Sequence, residues 1–70
     1  MTTILRTDTY RAASNTATIK VQYYLDFGFG PRGLFRIVLV RDADELGRVL
    51  EDGLFKYPTQ RKINRIIAEN

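Results

Sequence analysis

The stretch Thr18-Ile19-Lys20-Val21-Gln22-Tyr23-Tyr24-Leu25-Asp26-Phe27 decides the fold class. Ile19, Val21, Tyr23, Leu25 and Phe27 fall on one side of a pleated chain and Thr18, Lys20, Gln22, Tyr24 and Asp26 on the other, the period-two pattern of a strand with one buried face. Downstream, Leu34 to Arg41 is rich in β-branched residues and follows Gly28-Phe29-Gly30-Pro31-Arg32-Gly33, so the two runs read as an antiparallel hairpin. Pairing Phe27 with Leu34 would set Arg36 opposite Leu25 on the apolar face. Pairing Leu25 with Phe35, Tyr23 with Ile37 and Val21 with Leu39 keeps that face apolar and leaves a loop from Gly28 to Arg32. This second register is the predicted one. It also sets Tyr24 opposite Arg36, Gln22 opposite Val38, Lys20 opposite Val40 and Asp26 opposite Leu34.

Working outward, Thr3 to Tyr10 is Thr-rich with Ile4, Leu5 and Tyr10, and is predicted to be a third strand at a sheet edge, joined through the small residues Ala12 to Thr16. Past the hairpin, Asp42-Ala43-Asp44-Glu45 has the spacing of a helix cap, and Leu46, Val49 and Leu50 continue it at helical intervals until Gly53. A second helix is predicted from Thr59, after Pro58, with an Ile63, Ile66 and Ile67 stripe opposite Arg61, Lys62 and Arg65. Leu54, Phe55 and Tyr57 would fill the corner between the two helices. The expected architecture is a single α+β domain over residues 1–70. A three-stranded antiparallel meander is followed by two helices, both packed on the face of Val21, Tyr23 and Leu25.

The chain has 70 residues, 44% of them hydrophobic, enough for one small core. A core of this size leaves a thin stability margin, so added burial from a second copy or a partner is expected. It contains no His and no Cys, which removes the imidazole base, the thiolate nucleophile, disulfides and the usual zinc and haem ligands. No enzymatic activity, metal, cofactor or small-molecule substrate is expected. Lys and Arg number 11 against 8 Asp and Glu, a net charge of +3 that permits an anionic partner without requiring one. The start, Met1 to Arg6, lacks the layout of a signal peptide, and the longest apolar run, Ile37 to Val40, is too short to cross a bilayer. A cytoplasmic location without membrane contact is expected.

Several motifs have plainer explanations. Gly28, Gly30 and Gly33 spell G-x-G-x-x-G, but a strand follows where a dinucleotide site needs a helix N-terminus. Asp26-Phe27-Gly28 matches the kinase triplet in a chain too short for the rest of a kinase. Arg32 to Ile37 begins like the first ribonucleoprotein motif, yet only Phe35 among its alternating positions is aromatic. Asp42, Asp44, Glu45, Glu51 and Asp52 are read as acids at a helix start and solvated carboxylates, not as a converging metal site. A three-stranded sheet followed by a helix resembles, in element order alone, the sheet-reading DNA-binding domains of some integrases and transcription factors. Their DNA-facing sheets are basic, whereas the polar face here carries Thr18, Lys20, Gln22, Tyr24, Asp26 and Arg36.

The expected function is that of a small non-catalytic regulator, inhibitor or adaptor that binds a protein partner or a second copy of itself. Free-standing chains of this kind are often of phage or mobile-element type. Two contact regions are predicted. One is the hairpin tip, with Phe29 and Arg32, the side-chain types enriched at binding hot spots. The other is the sheet face turned from the helices, where Leu34, Val38 and Val40 would meet water beside a Tyr24–Arg36 stack. The alternative is a nucleic-acid-binding protein that uses Arg61, Lys62 and Arg65, with Lys56 beside them.

Overall fold

The computed structural model describes residues 2–26, 33–43 and 46–70. Four antiparallel strands form one sheet in sequence order: β1 (Thr2–Arg11), β2 (Ala17–Asp26), β3 (Gly33–Arg41) and β4 (Arg48–Leu54). A single helix follows, α1 (Gln60–Glu69). The class is α+β, but the expected three strands and two helices become four strands and one helix.

The first of the two predicted helices is β4. The Asp42 carboxylate takes two hydrogen bonds from Arg11, at 2.9 and 2.5 Å, and its amide donates to the Thr16 carbonyl at 2.9 Å, while Asp44 and Glu45 of the predicted first turn lie outside the described residues. The spacing of Leu46, Val49 and Leu50 misleads because β4 is bulged. Its register against β3 runs Phe35 to Leu54, Ile37 to Glu51 and Val38 to Val49, so β4 holds one extra residue in each interval. Leu50 and Leu54 both pack against the core, as residues four apart do on a strand, while Leu46 and Val49 are largely exposed. An i, i+4 pair thus arises from a strand, not from a helical turn. Gly53 marks a bulge, with φ of 67°, rather than a helix stop. The strand also covers the edge of β3, whose apolar sequence would otherwise present an unpaired ladder to other chains.

Face assignments in β2 and β3 follow the predicted alternation, while the register slides by two. Tyr23 pairs with Phe35, Val21 with Ile37 and Ile19 with Leu39, and Leu25 with Gly33. A two-residue slip leaves every side chain on its face, so hydrophobic patterning does not resolve it. In the observed register Tyr23 has Gly33 as a diagonal neighbour. Its ring lies over Gly33, in space that any Cβ at that position would occupy.

β1 forms the predicted edge strand, with an extra residue between Ile4 and Arg6. Past this bulge Arg6, Asp8 and Tyr10 share a face with Tyr23, Val21 and Ile19. The core clusters Ala12, Ala17, Ile19, Ile37, Leu39 and Ile66, with Tyr10, Leu50, Leu54 and Ile67 at its rim. Helix α1 therefore packs on the predicted face. Its C-terminal end is stitched to the β1–β2 turn: Ala13 N–H donates to the Ile67 carbonyl at 3.0 Å, and Ser14 Oγ to the Asn70 carbonyl. At the other end Thr59 Oγ1 accepts from the Lys62 amide at 3.2 Å, an N-cap. Thr59→Ala is expected to lower stability by about 1 kcal/mol, read as a lower urea midpoint at unchanged slope.

Candidate functional site

Helix α1 has 10 residues, about 15 Å of length at 1.5 Å per residue, whereas ten-residue strands run about twice that far. The helix consequently covers one half of its sheet face. Over the other half Tyr23, Phe35 and Tyr57 stack, with Tyr23 and Phe35 centroids 5.0 Å apart and Phe35 and Tyr57 edge-to-face at 5.5 Å. Tyr57 Oη donates to Asp8 Oδ2 at 2.8 Å and lies 2.7 Å from the Tyr10 hydroxyl. Burial, and then the bonds to Tyr10 and Asp8, push its pKa well above the ordinary tyrosine value. The Arg6 guanidinium sits 5.9 Å above the Tyr57 ring and 3.5 Å from Asp8.

Outside this stack a cleft of about 370 Å³ opens between Arg6, Tyr23, Gly33, Phe35 and Phe55. Phe55, predicted to fill an interior corner, is 68% exposed. Two further concavities of about 390 Å³ continue from it. The second is lined by Leu54, Phe55, Lys56, Tyr57, Pro58, Thr59 and Lys62, and the third by Thr59, Arg61, Lys62 and Arg65. Arg6, Tyr23 and Phe55 were not singled out from sequence. The alternation already put Tyr23 and Phe35 on one face, but the place of Arg6 depends on the β1 bulge.

On the opposite face, the open one, the predicted Tyr24–Arg36 stack is present, with the guanidinium 4.5 Å from the ring. It forms across a diagonal, since Tyr24 pairs with Leu34 and Gln22 with Arg36. Asp52 joins it from the β4 bulge, accepting from Tyr24 Oη at 2.5 Å, Arg36 Nε at 3.2 Å and its neighbour's amide, Gly53 N–H, at 2.8 Å. Burial works to raise the Asp52 pKa, and the three hydrogen bonds outweigh it and hold the carboxyl below its ordinary value. Burial, then the bond to Asp52, raises Tyr24. Asp52 and Glu51 are therefore not simply solvated; Glu51 pairs with Lys62 at 3.0 Å.

The apolar strip differs from expectation. Tyr24 and Leu34 are each 3% exposed, so neither meets water. Val38 and Val40 are half-buried, and Val49, paired with Val38, is 50% exposed. Gly47 packs its backbone against both Val38 and Val40, and a Cβ there would meet Val38 Cγ1 at 2.7 Å. The tip residues Phe29 and Arg32 lie outside the described residues. On α1, Arg61 and Arg65 are exposed, while Lys62 is partly neutralised by Glu51; Lys56 lies in the segment before the helix.

Among the described residues no three carboxylates converge as a metal site, and no helix is long and apolar enough to cross a membrane. Comparison with protein-family models, curated proteins and solved structures finds no match.

Proposed function

We propose that this protein is a non-catalytic, cytoplasmic binding module that contacts a protein partner through the open face of its sheet, as a small regulator or adaptor does. One observation supports this reading above the others. Val38, Val40 and Val49 form a contiguous aliphatic strip beside a Tyr24–Asp52–Arg36 cluster whose side chains are already held in place. An interface there joins an apolar centre to the Arg36 guanidinium, held in place by the buried Tyr24 and by Asp52, and freezes few side chains that were free before binding. No residue in this reading carries out chemistry.

The test is affinity capture from a nuclease-treated cell extract with wild-type protein, Val38→Lys and Val49→Lys. Both variants are expected to lose the captured protein while circular dichroism stays native, and the wild-type complex is expected to persist as salt rises, as apolar burial does. Capture that survives both lysines would overturn the reading.

A further inference from the structure

We propose that the helix side of the sheet carries a groove for single-stranded nucleic acid, running from the aromatic cleft at Phe55 to the basic flank of α1. This surface lies opposite the open face and does not depend on it. Three concavities adjoin in series, the first and second sharing Phe55 as a wall and the second and third sharing Thr59 and Lys62. Each is of small-ligand size, near 400 Å³.

The series changes character along its length. At one end, rings of Tyr23, Phe35 and Phe55 line the cleft, with Phe55 the most exposed. At the other end the lining is cationic, with Arg61, Lys62 and Arg65 around the first turns of α1, and Lys56 between the two ends. Adding Arg6 in the cleft, five cations and no carboxylate line the three concavities among the described residues. Arg6 and Lys62 are paired with Asp8 and Glu51, whose side chains are 36% and 38% exposed, which leaves Lys56, Arg61 and Arg65 as the lining cations outside the ion pairs of the described residues. For a chain whose whole net charge is only +3, this is a strong local concentration.

Aromatic platforms next to a cationic path are what a single strand requires: its bases stack on rings without regard to sequence while its phosphates follow the charge. A duplex keeps its bases stacked on each other and gains nothing from the rings. An acidic peptide would use the cations but has no flat group for Phe55.

The test is fluorescence anisotropy with labelled dT12 and U12 and a DNA duplex of the same length, titrated across salt. Single strands are expected to bind more tightly than duplex, with affinity falling as salt rises. Phe55→Ala, at an exposed site, should weaken single-strand binding about 5- to 150-fold, the range for losing one stacked base, and Phe55→Tyr should retain it. Arg61→Gln with Arg65→Gln should flatten the slope of log K against log salt by about 1.4. Native circular dichroism is checked for each variant. Absence of saturable single-strand binding at low salt, duplex binding as tight as single-strand binding and indifferent to Phe55→Ala, or displacement by polyglutamate at equal charge would each overturn the proposal. Val38→Lys probes the open face alone, so the two surfaces stand or fall separately.

Discussion

The Ile37→Ala variant is expected to be largely unfolded at 37 °C. Ile37 is fully buried at the centre of β3, paired with Val21 on one side and Glu51 on the other, within the cluster that also holds Ile19, Leu39 and Ile66. Truncation to Ala removes that packing and leaves a void which two strands and a helix would have to close together. Such changes cost about 2–5 kcal/mol. A single core in a chain of this length rarely supplies more than about 3–5 kcal/mol in total. Each kcal/mol lowers the midpoint by roughly 4–8 °C in a domain this small, so a drop of roughly 10 °C or more should appear in a circular dichroism melt. Ile37→Val, which retains most of the volume, should cost only about 0.5–1.5 kcal/mol. A shift of a few degrees for the alanine variant would mean that the core lies elsewhere.

The second large effect is expected at Asp52. Asp52→Ala leaves the buried Tyr24 hydroxyl without its acceptor and removes the partner of Arg36, a loss of about 1–3 kcal/mol. Half of the Asp52 side chain meets water, so screening keeps the ion-pair share small and the bond from Tyr24 carries most of the effect. A double-mutant cycle with Tyr24→Phe should therefore show coupling, because the two groups satisfy each other. The pH dependence has a definite sign. The native Asp52 pKa lies below its unfolded value, so between the two the native state binds fewer protons than the unfolded state does. Its contribution is complete above the ordinary carboxylate pKa, about 4, and is lost as pH drops through the native value. Tyr24, shifted upward, behaves oppositely: its contribution is complete below about pH 10 and is lost as pH rises through its native pKa. Asp52→Ala should remove the first dependence, read from urea midpoints between pH 3 and 6.

Strand alternation made β2, β3 and their faces legible, because a period of two needs only local residues. The Ile63–Ile66–Ile67 stripe and the Thr59 cap did the same for α1. β4 was not legible. Two bulges break its alternation, and its reason for being a strand is the edge of β3, a partner that local spacing does not reveal. The same error hid Asp52: read on a helix it is a solvated acid, while on a bulged strand it reaches Tyr24 and Arg36. The slip of the hairpin by two residues had another cause, since it exchanges partners without changing faces, and alternation of apolar and polar residues is blind to it. The open-face pair Tyr24 and Arg36 was legible as neighbours, but not their common carboxylate.

The two edges of the sheet are unequal, and this bears on how copies of the chain could join. β4 is bulged twice within seven residues, so its outer side offers no straight run of backbone groups to a newcomer. β1 holds an unbroken register from Arg6 to Arg11. If two chains pair strand to strand through β1, each spends its one regular edge, and the assembly closes at two about a twofold axis. Growth into a ribbon would need a second straight edge, which the β4 bulges remove. Straightening β4 by deleting both inserted residues would thus change not only a fold detail but the upper limit on assembly, from a pair to an open-ended filament.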